Sequence, residues 1–292
     1  MTADDRARHR LQVAGLPPAG EEKTGYVRAA FDAIARGYDL MNLIMTAGLV
    51  RYWRRAFARV TGLQPGGRAL DVCCGTGELA FIMAEQVRPR WAGPSPTTTE
   101  EGKGQVVGVD FSPRMLARAQ EKASRRGIAI SLMLADALSL PFPEDCFDCA
   151  SIGFALRNVN DIAACLREMV RVVKPGGRVV SLEICHPVSL WVKIWFYPYF
   201  RGLVPALGWL AERLQGTGRS HGTPRPQGAA QPQDAAQPLR GLRPYAYLPR
   251  SLAYLPGVRE LAETMEQAGL QEVRWWILPP GVVALHWGVK PW

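Results

Sequence analysis

The residues whose chemistry is easiest to read lie in Asp71-Val72-Cys73-Cys74-Gly75-Thr76-Gly77-Glu78. An apolar run through Leu70 and Val72 stops at a Gly-x-Gly turn, and a helical pattern opens at Glu78. Glycine permits a sharp turn with positive φ and lets a ligand approach the backbone closely. One apolar strand later, Val106-Val107-Gly108-Val109 ends in Asp110. A carboxylate at that position is suited to the two hydroxyls of a ribose. A third acidic position follows at Asp136, in Leu134-Ala135-Asp136-Ala137. Together these residues describe a nucleotide-like cofactor across the carboxyl edge of a parallel sheet.

A nicotinamide dinucleotide suits the turn poorly. Its fingerprint is G-x-G-x-x-G, and the third glycine position here is Ala80. More telling is Glu78, a carboxylate at the helix N-terminus where a pyrophosphate would sit. Such a charge repels phosphate. A cofactor with no phosphate and a positive centre, such as S-adenosylmethionine, fits this turn better.

The flanking pattern supplies the frame. Strands are expected at Arg68–Cys73, Gln105–Asp110, Ile128–Leu134, Phe147–Ile152 and Arg178–Glu183. Helices are expected between them, at Glu78–Val87, after Ser112-Pro113, and at Asp161–Val173. Ser112 is a natural N-cap with proline at the first helical position. Such alternation predicts an α/β doubly wound parallel sheet. A helix over Val258–Ala268 and strands at Glu272–Leu278 and Val282–Val289 close the chain, the strands joined by Pro279-Pro280-Gly281 as an antiparallel hairpin. A parallel sheet with a reversed C-terminal strand is the class I methyltransferase arrangement, by analogy of fold.

Ahead of the sheet, residues 1–24 read as a loose polar tail, and 25–292 as the functional domain. Helices over Tyr26–Tyr38 and through Trp53, Phe57 and Val60 are placed to cap the site. Insertions at 88–104 and 215–244 are rich in Pro, Gly, Gln and Ala, lack apolar periodicity, and are expected to be disordered. Between them, 188–214 carries Trp191, Trp195, Phe196, Tyr197, Tyr199, Phe200 and Trp209. Lys193, Arg201, Glu212, Arg213, Pro198 and Pro205 argue against a membrane span. Two readings stand: an amphipathic segment lying on a membrane or covering a lipid-like substrate, and ordinary packed cap helices.

The whole chain narrows the classes further. Its 292 residues are 48% hydrophobic, enough for one large core, and carry a net charge of +9. No Lys/Arg block is dense enough to argue for nucleic acid. The early residues show charges from Asp4 to Arg10 and no apolar signal core, so a cytoplasmic protein is expected. The six cysteines fit a reducing compartment. Cys146-x-x-Cys149 has no second pair at zinc spacing, so no metal is expected.

Spaced motifs carry a more specific resemblance. Phe31-Asp32-x-Ile34-Ala35-x-x-Tyr38-Asp39-Leu40-Met41-Asn42 is one, and Phe154-Ala155-Leu156-Arg157-Asn158-Val159 is another. Leu140-Pro141-Phe142-Pro143, Lys174-Pro175-Gly176-Gly177, Tyr245-x-Tyr247-Leu248-Pro249 and Gly281-Val282-Val283-Ala284-Leu285-His286 complete the set. On these the chain resembles the menaquinone/ubiquinone C-methyltransferases from about Tyr26 to Lys290, interrupted by the two insertions. The resemblance implies S-adenosylmethionine held by Thr76, Asp110, Asp136 and Ala137, with Asp71, Gly75 and Gly77 forming the turn beneath its methionine part. It implies an isoprenoid naphthoquinol substrate, methylated on a ring carbon in the last step of menaquinone formation. A ubiquinone precursor or another small apolar acceptor is the alternative, and a non-catalytic cofactor-binding subunit is a second. Two positions depart from the family pattern: Gly153 stands where a serine is frequent, and His186-Pro187 where Lys-Pro is frequent.

Methylating a quinol carbon requires an electron-rich ring, ideally with one hydroxyl deprotonated. Arg157 is the expected stabiliser of the phenolate. His286 and Tyr38 are candidates for proton transfer, with Asp39 orienting either. Each also has a plainer reading, as a loop anchor, a core histidine or a staple between cap helices. Base-directed amino methylation commonly uses an Asn/Asp-Pro-Pro-aromatic loop after strand four, and Gly153-Phe154-Ala155-Leu156 is no such loop.

Overall fold

The computed structural model describes residues 20–35, 37–89, 104–187, 189–203 and 251–292. Three helices come first: α1 (Glu21–Ile34), α2 (Tyr38–Met45) and α3 (Val50–Ala58). The core then runs β1 (Arg68–Val72), α4 (Glu78–Val87), β2 (Gln105–Asp110), α5 (Pro113–Arg126), β3 (Ser131–Leu134), β4 (Phe147–Gly153), α6 (Ile162–Val172) and β5 (Val173–Ile184). After α7 (Leu190–Pro198) come α8 (Val258–Gln267), β6 (Gln271–Leu278) and β7 (Val283–Val289).

The seven strands form one sheet in the order β3-β2-β1-β4-β5-β7-β6. β1 to β5 pair in parallel, and β7 inserts antiparallel between β5 and β6. Strand order reverses between β1 and β4, which opens a crevice at their carboxyl ends. β1 is buried on both faces from Ala69 to Val72, as expected for a central parallel strand. Trp53 and Phe57 of α3 and Leu79, Ala80 and Met83 of α4 pack in the core on one face. Cys165, Leu166 and Met169 of α6 and Leu261 and Met265 of α8 build the core on the other.

Side-chain caps set the starts of α5 and α6. Ser112 Oγ accepts from Met115 N at 3.1 Å, and Asp161 Oδ1 accepts from Ala164 N at 2.8 Å. Three expectations need correction. The Tyr26–Tyr38 helix begins earlier, at Glu21, and ends at Ile34; a second helix starts at Tyr38. Residues 20–24 therefore do not belong to a loose tail: Lys23 is buried and donates to Val159 O at 2.6 Å, and Gly20 N donates to Asn160 Oδ1 at 3.1 Å. The strand expected at Arg178–Glu183 begins earlier, at Val173, so Lys174-Pro175-Gly176-Gly177 lies within β5. Residues 90–103 and 204–250, which hold most of the first insertion and all of the second, lie outside the described residues, as do residues 1–19.

Candidate active site

The Gly-x-Gly turn adopts the geometry its sequence predicts. Gly75 and Gly77 have φ of +54° and +84°. A Cβ built on Gly75 meets nothing within 4 Å, so open space lies over the turn. Gly77, the N-cap of α4, has no side chain with which to cap. Asp71 supplies that function from the strand: its Oδ2 accepts from Ala80 N at 3.0 Å, and its Oδ1 from the Ser151 hydroxyl at 2.8 Å. Burial pushes the Asp71 carboxyl up to about 7, against the hydrogen bonds from Ser151 and Ala80.

Asp110 closes the turn from β2. Its Oδ2 accepts from Gly75 N at 2.8 Å and its Oδ1 from Ser112 N at 2.9 Å. Each carboxylate oxygen retains acceptor capacity for a diol. Burial raises its pKa despite those amide donors. Asp110, Phe111, Met115, Asp136 and Ala137 line a cavity of about 220 Å³ at the carboxyl edge of the sheet. A larger cavity of about 590 Å³ adjoins it, lined by Trp53, Phe154, Trp191, Trp195 and Phe196 among others. Tyr38, Cys73, Gly75, Gly153 and Phe154 border both. The small cavity, with an apolar slot and a carboxylate for a ribose, fits the adenosyl half of S-adenosylmethionine. A methionine half above Gly75 would point toward the large one.

Thr76 is held by charged groups that are distant in sequence. Its hydroxyl donates to Asp39 Oδ1 at 2.7 Å and accepts from Lys122 Nζ at 3.1 Å. Glu78 next to it pairs with Arg54 at 2.7 Å, Lys122 at 2.5 Å and Arg126 at 3.0 Å. Burial works against the Glu78 carboxylate, yet these cations outweigh it and lower its pKa. The expectation that Glu78 repels phosphate is thereby corrected: the charge is real, but three cations compensate it. Neither Lys122 nor Arg126 was legible as a site residue, because α5 reaches the turn only in the folded sheet.

The three catalytic candidates separate. Tyr38 and Arg157 line the large cavity, and burial raises the Tyr38 phenol. Arg157, on a single 3₁₀ turn (Leu156–Asn158), is buried beside Glu183 of β5. His286 lines neither cavity. It is buried in β7 opposite Ser181, its Nε2 hydrogen-bonded to Val258 O at 2.9 Å, and burial lowers its pKa. The histidine links β7 to α8, the place expected of a core histidine, and stands apart from the residues that line the cavities. Glu183 is the residue that sequence reading missed. Its one signal is a carboxylate in the buried stretch Val179–Glu183, next to Leu182.

Gly153, where a serine is frequent, also has a physical setting. A Cβ there would lie 2.5 Å from Leu79 Cδ1, so any side chain must displace that methyl. Cys146 and Cys149 are both free thiols, and among the described residues no group of three or more His, Cys, Asp or Glu could hold a metal ion.

The sheet order and the glycine turn are those of the S-adenosylmethionine-dependent methyltransferase fold. Solved structures share the fold at low identity. They include a possible histamine N-methyltransferase from Thermotoga maritima (TM-score 0.51, 16% identity, 90% of this chain and 99% of that one). Another is the [4+2]-cyclase SpnF (TM-score 0.57, 18% identity, 94% and 98%), so the fold alone does not fix the reaction. Sequence comparison is more specific. The model of the ubiE/COQ5 methyltransferase family matches residues 19–215 and 240–290. The chain is 38% identical to demethylmenaquinone methyltransferase of Symbiobacterium thermophilum, over 94% of this chain and 96% of that one. It is 34% identical to the enzyme of the same name from Desulfitobacterium hafniense, over 94% and 93%. The chain belongs to the ubiE/COQ5 methyltransferase family.

Proposed function

We propose that the protein methylates a ring carbon of demethylmenaquinol to give menaquinol. The carrying observation is the large cavity: aromatic and aliphatic walls, continuous with the glycine turn, with the buried Arg157 guanidinium in its lining. The names of the relatives point to the same substrate.

When bound, S-adenosylmethionine supplies an electrophilic methyl group on a sulfonium. Asp110 would take its ribose hydroxyls, Asp136 and Ala137 its adenine, and the Gly75–Gly77 turn its methionine part, with Asp71 and Thr76 holding that turn in shape. The apolar walls exclude water and align the ring, and alignment is a large share of such a rate enhancement. Arg157 stabilises negative charge on the quinol oxygen, which makes the adjacent ring carbon nucleophilic. That carbon would form its new bond as the S–CH3 bond breaks, the electron pair staying on the departing thioether, and would then lose its ring proton to solvent, restoring the aromatic ring. Tyr38 stands beside the same space to relay a proton.

The isoprenoid tail needs an apolar exit. α7 has no buried residue, and Trp191 and Trp195 are 76% and 78% exposed while lining the cavity. Leu40 and Ile44 of α2 and Leu190 and Ile194 of α7 add exposed apolar surface on helices that also line it. No helix among the described residues is long and apolar enough to cross a membrane. This rim supports peripheral contact with the inner face of a bilayer, from which the quinol enters.

The test is methyl transfer from labelled S-adenosylmethionine to reduced demethylmenaquinol and to a reduced demethylated ubiquinol precursor, with Asp110→Ala as control. Product from the naphthoquinol, lost in the control, supports the reading. Product from the benzoquinol alone moves the activity to the other branch of the family, and cofactor binding without any product refutes an enzymatic role on quinols. For the rim, Leu40→Ser/Ile44→Ser/Leu190→Ser/Ile194→Ser should abolish sedimentation with anionic vesicles while sparing turnover of a short-chain quinol.

A further inference from the structure

Arg157 and Glu183 are buried together and incompletely satisfied. Arg157 Nη1 lies 3.7 Å from Glu183 Oε2, an ion pair too long for a hydrogen bond. Arg157 Nε and Nη1 and Glu183 Oε2 have no hydrogen-bond partner. Buried donors and acceptors without partners are rare, and here they belong to the two halves of one ion pair. Glu183 Oε1 is fully employed, accepting from Ala155 N at 2.6 Å and Leu156 N at 2.7 Å. One carboxylate thus fixes the backbone just ahead of Arg157 with one oxygen and faces its guanidinium with the other. Arg157 lines the cavity and Glu183 does not.

We propose that Glu183 is a positioning residue for methyl transfer: it fixes the Ala155–Leu156 turn and holds the Arg157 side chain so that the part of it that lines the cavity meets the acceptor's oxygen as that oxygen becomes anionic. This deepens the quinol reading above and rests on it. A guanidinium with no counter-charge is costly to keep in an apolar wall, and without Glu183 it would turn toward water. With Glu183 ionised, which burial delays to about pH 7, it remains in place, nearly neutral as a pair, and a guanidinium already held there costs no reorganisation when charge develops. The other titratable groups facing the pair are Tyr38 from α2 and Cys165 from α6. Burial raises both, so neither is charged at neutral pH.

The test separates positioning from simple structural support. 1-Naphthol, whose absorbance reports ionisation, is titrated with pH in complex with the wild-type protein, Glu183→Gln and Glu183→Asp. The wild type should lower the apparent pKa of bound naphthol by about one to three units, as an opposite charge at close range does. Glu183→Gln, which keeps an acceptor for the two amides, should lose most of that shift, and Glu183→Asp should keep part of it. In parallel, Glu183→Gln should reduce kcat on demethylmenaquinol about 10- to 100-fold, less than the roughly 10²- to 10³-fold loss of the stabilising donor itself, with S-adenosylmethionine affinity unchanged within threefold. An unchanged or deeper naphthol shift in Glu183→Gln overturns the proposal, as does a wild type that shifts or binds naphthol not at all. If Glu183→Gln does not fold, Glu183→Asp decides by the same readout. A wild type that shifts naphthol but makes no quinol product would refute the substrate reading and leave the positioning role standing.

Discussion

The Asp39 carboxylate on α2 accepts the Thr76 hydroxyl hydrogen at 2.7 Å and, through its other oxygen, Lys122 Nζ at 2.7 Å. One side chain of the cap thereby fastens the cofactor turn to α5. The single hydrogen of the Thr76 hydroxyl is spent on Asp39, so this threonine positions the turn through its own restraint. Asp39→Ala should weaken S-adenosylmethionine binding about 10- to 150-fold, the scale of one charge-assisted hydrogen bond, measured by calorimetry. Unchanged affinity would show that the latch does not shape the turn.

Asp110 has two kinds of work: it holds Gly75 N and Ser112 N, and its remaining acceptor capacity faces the small cavity. Asp110→Asn keeps the shape but loses charge and one acceptor. Cofactor affinity should fall at least about 30-fold, and the thermal midpoint by a few degrees, since an unmet buried donor costs about 1–3 kcal/mol. Calorimetry and a melting curve on the same sample read both.

Removing the Arg157 guanidinium should affect chemistry more than binding. Arg157→Met fills the space with apolar atoms and leaves Glu183, whose burial already pushes it up to about 7, able to take a proton. The variant should fold and bind cofactor, with kcat lower by about 10²- to 10³-fold, the usual loss when an oxyanion donor is deleted. Steady-state kinetics with reduced quinol decides; a change confined to KM would argue that Arg157 only binds.

Two buried carboxyls make stability depend on pH in an uncommon direction. Burial raises Asp71 from 3.8 and Glu183 from 4.5, each to about 7. Between those values the folded chain keeps protons that the unfolded chain has released, so their contribution is full below about pH 4 and is lost as pH rises through 7. Asp71→Asn, whose amide can still accept from Ala80 N and donate to Ser151 Oγ, should flatten the fall in denaturant midpoint between pH 5 and pH 8. A steeper dependence in the variant would contradict the assignment.

His286 should prove dispensable for turnover. With Nε2 on Val258 O and no place in either cavity lining, its loss removes a tie between β7 and α8. His286→Gln should keep kcat within about threefold while costing about 1–2 kcal/mol of stability, the range for one buried hydrogen bond. A kcat loss of a hundredfold in a folded variant would return the residue to the mechanism.

Much of the frame was present in local pattern. The apolar run into Asp71-x-x-x-Gly75-x-Gly77, the Ser112-Pro113 helix start and the strand ending in Asp110 are each determined by a few neighbouring residues, and the folded chain keeps them. Backbone preference and burial on both faces act over that short range, which is why periodicity and turn residues reveal them. Arg157 and Tyr38 were legible as residues in motifs and do border the large cavity. What tertiary structure decided was which side chains meet. Glu183 lies 26 positions beyond Arg157, across the sheet's edge on the next strand. Arg54, Lys122 and Arg126 come from two helices to neutralise Glu78. His286, in an apolar strand, could face either layer, and the pairing of β7 with β5 turned it toward α8 and away from the cavities. Sequence by itself determined the sheet, its glycine turn and the class of cofactor. Charge compensation and the surroundings of Arg157 depended on contacts between distant segments, because electrostatics and burial are properties of the packed interior and not of spacing along the chain.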